Sequence, residues 1–351
     1  PALGSDPHLL RPVPHPDLRP GDLRSECHGK EAVHPNRHLP VLTQQHRRSR
    51  PGRLALLALA LLLTGCPAAP AAPVSNKAPA PKTLTLTILS TNDLHGQLDP
   101  LELHAPGNPP RRFRVGGARA LAATVAELRR KAPGPVLLLD AGDFMQGTLL
   151  SNHFQGRPML DLMKALAYDA AALGNHEFDF GPVAGGDMKE PRGALKAWAR
   201  GAPFPLLTAN ITLEGDHSKG PAWPNVRPSV IIARGGARVG LIGVTTPTTP
   251  RVTMARLVKG LRFGGLAQAV QREAAALRKE GVHAVVVLAH AEGKCPGRDP
   301  QSCRGEAFGE LLDRLPAGLV DAVIMGHSHE CIWQRYKGTL VTEACSRGVA
   351  V

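Results

Sequence analysis

The stretch Leu173-Gly174-Asn175-His176-Glu177-Phe178-Asp179-Phe180-Gly181 brings an amide, an imidazole and two carboxylates together between an apolar run and a glycine. Such groups bind divalent cations or carry protons. Residues 169–173 read as a short buried strand, so Asn175 and His176 fall just past its C-terminal end, where open α/β sheets bind ligands. Taken alone, an Asn-His pair there is more often a polar turn with a hydrogen-bonded histidine than a catalytic site. Its chemistry depends on partners from elsewhere in the chain.

Such partners recur at other strand ends. Residues 84–89 alternate apolar residues with threonine, a strand pattern, and deliver Asn92-Asp93-Leu94-His95-Gly96. Alternation puts Asp93 and His95 on one side of an extended chain. The apolar run 136–139 ends in Asp140-Ala141-Gly142-Asp143, the run 282–288 leads to Ala289-His290, and the run 320–325 leads to Gly326-His327-Ser328-His329. Helical periodicity is expected over residues 119–131, 158–167, 266–279 and about 307–315. Residues 204–210 read as a further strand. Gly235-Gly236 between the runs 229–233 and 238–244 signals a hairpin, and another is expected about Lys337-Gly338. Strands alternating with helices argue for an α/β domain whose active groups lie at strand C-termini.

Asp93, His95, Asp143, Asn175, His290, His327 and His329 form a mixed oxygen and imidazole set suited to Mn, Fe or Zn bound as a pair. The adjoining Gly96, Gly142, Gly174 and Gly326 permit tight turns where such side chains converge. His104, His153, His217 and His283 have no such setting.

The ordered series Asp-x-His, Gly-Asp, Gly-Asn-His-Glu, His and Gly-His-x-His resembles that of the calcineurin-like metallophosphoesterases. Within them, Asn92-Asp93-Leu94-His95-Gly96 and Gly174-Asn175-His176-Glu177-Phe178-Asp179 are similar to the 5'-nucleotidase family. The resemblance runs from about Leu84 to the end of the chain. It implies an α/β fold with mixed sheets, a β-sandwich flanked by helices in four αββα layers. It places Asp93, His95 and His329 on one metal and Asn175, His290 and His327 on the other, with Asp143 bridging and His176 with Asp179 as the catalytic pair. The position of His329 varies in the family, being Gln or Asn in some members. The implied cofactors are two divalent ions, Mn, Zn, Co, Fe or Mg. The implied reaction is hydrolysis of nucleotide phosphate esters, of the 5'-nucleotidase or 2',3'-cyclic-nucleotide phosphodiesterase type. Sugar nucleotides and other phosphate or sulfur-linked esters are the alternative substrates. The family normally carries a second, C-terminal, nucleoside-binding domain; the expectation here is a metal domain over residues 83–351 without it. Glu177 receives no role.

A net charge of +13 and a pI near 9.9 would suit a nucleic-acid partner. The first 66 residues hold nine Lys/Arg against five Asp/Glu, and the rest of the basic charge is dispersed without interleaved aromatics. The charge therefore reads as favouring phosphate-bearing substrates or a solvated basic surface, and nucleic acid is not an expected partner. With 43% hydrophobic but only 4% aromatic residues, the interior must be built from Leu, Val and Ala.

Residues 1–45, rich in Pro, His and Arg and without periodicity, read as a disordered leader or upstream frame. Residues 46–66 combine Arg47, Arg48, Arg50 and Arg53 with the apolar run 54–63 and Leu63-Thr64-Gly65-Cys66. That run is shorter than the ~20 residues a membrane span needs but fits a signal-peptide core. Its ending resembles the lipobox of bacterial lipoproteins, which implies a lipidated Cys66, a membrane anchor and export to the periplasm or cell envelope. An ordinary signal peptide and an uncleaved anchor are the alternatives. Residues 67–82, mostly Pro and Ala, read as an extended tether. Export makes disulfides plausible, pairing Cys295 with Cys303 across a Pro/Gly loop and Cys331 with Cys345 across a hairpin, against buried free thiols. A non-catalytic lipoprotein on the same fold would show losses among the ligands or at His176 and Asp179, and the sequence shows none.

Overall fold

The computed structural model describes residues 83–105, 111–187, 189–297 and 299–351. The expected leader, lipobox with Cys66 and Pro/Ala tether lie outside them. Two sheets form the centre. The first is wholly parallel, in the order Thr87–Thr91, Val136–Asp140, Ala170–Ala172, Leu206–Leu207 and Val226–Arg227. The second is mixed, in the order Cys331–Tyr336, Thr339–Ala344, Ala322–Gly326, Ala284–His290, Ala237–Thr245 and Ser229–Arg234. Its interior strands run parallel, and antiparallel hairpins close both edges.

The apolar strands explain why the sheets stack and why helices cover them. In Val136–Asp140 side chains alternate, so Leu137 and Leu139 enter the core between the sheets while Leu138 faces the helices outside. All three are fully buried, each contributing roughly 2 kcal/mol of hydrophobic transfer. Val286 and Leu288 of the other sheet meet Leu137 and Leu139, whereas Val285, Val287 and Ala289 face outward into their own helix layer. Strands buried on both faces need continuous apolar runs, and this sequence supplies them. The sheets approach closely at Gly243, where any Cβ would collide with Leu207.

Helix Gly117–Lys131 covers the first sheet with Leu121 and Val125, ends in Arg129, Arg130 and Lys131 at its carbonyl pole, and stops before Pro133. Helices Arg157–Ala165 and Gly193–Gly201 complete that layer, while Leu266–Lys279 covers the second sheet through Leu266, Val270, Ala274 and Leu277. The result is the expected four-layer α/β sandwich.

Several boundaries differ from the sequence reading. The strand expected over residues 204–210 is only Leu206–Leu207, because the chain then leaves the sheet and Asn210 hydrogen-bonds both the N–H and the C=O of Thr245. The helix expected about 307–315 is a π-turn, Ala307–Leu311, followed by a 3₁₀ turn, Leu312–Arg314, and Pro316 bars its continuation. The hairpin Leu101–Ala105 with Arg111–Val115 and the helix Gly193–Gly201 were not anticipated. Both Cys295–Cys303 and Cys331–Cys345 are disulfides, as paired from the sequence. Among the described residues no helix is long and apolar enough to cross a membrane.

Candidate active site

All the candidate residues converge at the C-terminal ends of parallel strands. Asp93 and His95 follow Thr87–Thr91, Asp143 follows Val136–Asp140, and Asn175, His176 and Asp179 follow Ala170–Ala172. From the second sheet, His290 is the last residue of its strand, paired with Gly326, and His327 and His329 follow directly. Asp93, Asp143, Asn175 and His290 are almost completely buried.

The side chains fall into adjoining groups. Asp93, His95 and His329 bring one ligand atom each within 4.8 Å of one another, and so do Asp143, His290 and His327. His95 Nε2 lies 2.9 Å from His329 Nε2, and His329 Nε2 lies 3.5 Å from Asp93 Oδ1. His290 Nε2 sits 3.0 Å from Asp143 Oδ2 and 3.1 Å from Asn175 Oδ1. Asp143 therefore stands between the two sets, and a further grouping joins it to His95 and His176.

Backbone hydrogen bonds aim the rings. His95 Nδ1 is 2.9 Å from the Gln146 carbonyl, and His290 Nδ1 is 3.0 Å from the Ala141 carbonyl. Each Nδ1–H donates to its carbonyl, leaving Nε2 directed inward, as histidine metal ligands are oriented. Burial lowers the pKa of His95, and burial with His290 nearby pulls that of His327 down to about 4, so both are neutral rings with a lone pair to offer. For His290 burial pulls the same way, but the Asp143 carboxylate outweighs it and pushes the ring up to about 10. Burial would raise Asp143 itself, but the His290 ring outweighs it and holds the carboxyl well below its usual range. Oxygens and imidazoles crowded around a point that draws positive charge this strongly fit divalent cations by charge and donor type.

The loops that hold these groups are strained. Asp93, His95, Asp143, His327 and His329 all have φ between +48° and +82°, a left-handed region that side chains rarely enter. Space is equally tight. A Cβ on Gly174 would run into the Asp143 carboxylate, and one on Gly142 would approach the Gly174 nitrogen to 2.8 Å.

Glu177, which the sequence reading left without a role, is the main support of this arrangement. Its fully buried carboxylate accepts the N–H groups of Asp143 (2.8 Å), Phe144 (3.0 Å), Met145 (3.3 Å) and Gly174 (2.6 Å). One side chain thereby clamps together the loops that carry Asp143 and Asn175. Burial, reinforced by Asp143, pushes its pKa up to about 7. On the other side, Glu343 accepts from the Ser328 hydroxyl (3.0 Å) and the Glu330 N–H (3.1 Å), steadying the segment that carries His327 and His329. Its only sequence signal was an acidic residue in an otherwise half-buried strand.

His176 stands at the rim with its side chain 30% exposed, and its Nδ1 is 2.5 Å from Asp179 Oδ2. Burial would lower its pKa, but the hydrogen bond to Asp179 and the charge of Asp143 raise it above the ordinary histidine value. Beside this pair opens a cavity of about 630 Å³ bordered by Gln146, Asn152, Asp179, Phe180 and the segment from Arg251 to Met254.

Two stacked sheets carry His and Asp at the ends of their parallel strands, and residues 86–331 match the calcineurin-like phosphoesterase family. The chain belongs to that family. Within it, the chain is similar to snake venom 5'-nucleotidase of Naja atra, 33% identical over 252 residues that cover 71% of this chain and 42% of the relative. It is likewise similar to 5'-nucleotidase of Rattus norvegicus, 31% identical over 259 residues that cover 73% of this chain and 40% of the relative. Among solved structures, the 5'-nucleotidase precursor from Thermus thermophilus superposes with a TM-score of 0.58 at 30% identity, covering 75% of this chain and 49% of that one. The chain thus spans about two fifths of the length of these curated relatives.

Proposed function

We propose that the protein is a dinuclear metal-dependent phosphoesterase acting on nucleotides, of the 5'-nucleotidase or 2',3'-cyclic-nucleotide phosphodiesterase type. The observation that carries this reading is the convergence of two ligand groups on either side of Asp143, with the His176–Asp179 pair at their edge. The names of the similar proteins support the nucleotide class. Asp93, His95 and His329 would hold one divalent ion and Asn175, His290 and His327 the other, with Asp143 shared. Bound there, such ions supply Lewis acidity toward the phosphoryl oxygens and an acidified water.

The chain's own groups do the remaining work. Asp179 accepts from His176 Nδ1–H, fixing the tautomer and directing Nε2 toward the substrate. The raised pKa favours the protonated ring, and in that form His176 stabilises charge on the transferring phosphoryl group and gives its Nε2 proton to the leaving oxygen as the P–O bond breaks. Asp143 is held by the His176 backbone N–H at 2.9 Å, which ties the ligand position to the acid's position.

The test is phosphate release by the purified chain from a panel of nucleoside monophosphates and cyclic nucleotides. Turnover is expected only with divalent metal, and no turnover with Mn, Co or Zn in protein shown to bind metal would sink the reading. We also propose export and lipid anchoring at Cys66, supported by the disulfides and by Leu63-Thr64-Gly65-Cys66. Fatty-acid labelling that survives Cys66→Ala would overturn the anchor.

A further inference from the structure

Asp179 has two oxygens, and only one faces His176. The other, Oδ1, accepts a 2.6 Å hydrogen bond from the Thr253 hydroxyl, 74 residues further along the chain. Thr253 comes from the other half of the sandwich. It follows the short helix Thr249–Val252, which continues from the end of strand Ala237–Thr245. That segment is itself firmly seated. Thr249 is fully buried and its hydroxyl donates to the Thr246 carbonyl at 2.8 Å, while the Thr246 hydroxyl donates to Glu306 at 2.5 Å. The Thr253 N–H closes the helix on the Thr249 carbonyl at 3.1 Å.

A carboxylate held through one oxygen can pivot about its terminal torsion, and a half-exposed ring hydrogen-bonded to it pivots with it. Engaging both oxygens removes that freedom. The side chains of His176 and Asp179 are 30% and 22% exposed, so packing alone does not fix them. We propose that Thr253 is a positioning residue for the His176–Asp179 pair: its hydroxyl locks the second oxygen of Asp179 and thereby the plane of the His176 ring. The segment from Arg251 to Met254 also borders the cavity beside the pair, so the wall a substrate would touch is joined by one side chain to the group that would donate the proton. This inference rests on the phosphoesterase reading for its kinetic consequence, and on geometry alone for the hydrogen bond.

Thr253→Val keeps the shape of the side chain and removes the donor, whereas Thr253→Ser keeps the donor. With adenosine 5'-monophosphate as substrate, kcat should fall about tenfold in Thr253→Val with KM within about twofold, because ring orientation is needed in the transition state more than in binding. Thr253→Ser should restore most of it. The loss should be smaller on p-nitrophenyl phosphate, whose leaving group needs little protonation, and Thr253→Val should add nothing in an Asp179→Ala background. A second readout needs no turnover. In histidine-labelled protein the His176 Nδ1–H resonance, identified by its absence in His176→Ala, should lie far downfield in the wild type and Thr253→Ser and be lost to exchange in Thr253→Val. An unchanged resonance with unchanged kcat in Thr253→Val would overturn the proposal. A wild-type chain that hydrolyses no phosphoester would overturn the phosphoesterase reading, while the spectrum still decides whether Thr253 orders the pair.

Discussion

The two sheets contribute to the site in different currencies. The first supplies the candidate carboxylate ligands, Asp93 and Asp143, together with Asn175 and the His176–Asp179 pair, whereas the second supplies only imidazoles, from His290, His327 and His329. They are also held differently. In the first half the ligand loops hang on buried carboxylates: Glu177 takes four backbone N–H groups, and Asp140, which burial pushes well above its usual pKa, takes the Thr91 hydroxyl and the Gly142 N–H. In the second half the ligand segment is bracketed by a covalent staple. Cys331 lies two residues beyond His329, and its partner Cys345 gives its carbonyl to Asn92, whose side-chain amide also bonds Asp93 at 2.7 Å. The first half is organised by hydrogen bonds to buried carboxylates, and the second by a crosslink together with Glu343, which takes the Ser328 hydroxyl and the Glu330 N–H. Asp143 of the first half and His290 of the second are coupled by charge, and the second half has a crosslink beside its candidate ligands, so redox state should matter most there.

Four perturbations break or sharpen this contrast. His176→Ala should have the largest effect, lowering kcat by roughly 10²–10⁴-fold while metal content by elemental analysis stays near that of the wild type. Loss of metal in that variant would mean that the first sheet does not separate ligand from acid. Glu177→Ala should come next, costing about 3 kcal/mol or more in chemical denaturation because several buried N–H groups lose their acceptor at once. A stability close to wild type would show that the ligand loops of the first half hold themselves. Removing the crosslink with Cys331→Ser and Cys345→Ser should cost about 3 kcal/mol for a loop of this size, and should also speed metal release to a chelator. The corresponding change at Cys295 and Cys303 should lower stability without altering metal release, since that pair bonds none of the candidate ligands. Equal metal release in the two variants would erase the assigned asymmetry. Smallest of the four is His329→Ala. That side chain is 38% exposed, and it should weaken retention of one ion, read by competition with a metal indicator, while leaving measurable turnover.

Much of this was legible in the sequence because strand, turn and ligand arrive together. The apolar runs before Asp143, His290 and His327 are unmistakable, and the glycines beside them mark turns that the structure confirms as crowded at Gly142 and Gly174. Gly235-Gly236 and Lys337-Gly338 likewise sit at the turns of antiparallel hairpins. What stayed hidden was whatever depends on contacts distant in sequence. Glu177 looked like a spare acid because its partners are mostly backbone amides more than thirty residues away. Thr253 carries no local signal, since its meaning lies in Asp179. The hairpin Leu101–Ala105 with Arg111–Val115 was missed because its second strand is rich in arginine, with only Phe113 and Val115 to mark a strand, and the strand at Leu206–Leu207 was overdrawn because apolar residues continue past the point where the chain turns away.

The left-handed backbone at Asp93, His95, Asp143, His327 and His329 bears on how this chain can change over time. Asn, Asp and His enter that conformation several-fold more readily than other residues with side chains, and glycine enters it freely. The candidate metal ligands at these positions belong to the same short set that the backbone tolerates. Asn or Gly at these positions should therefore leave the loops intact, whereas Val or Leu should distort them.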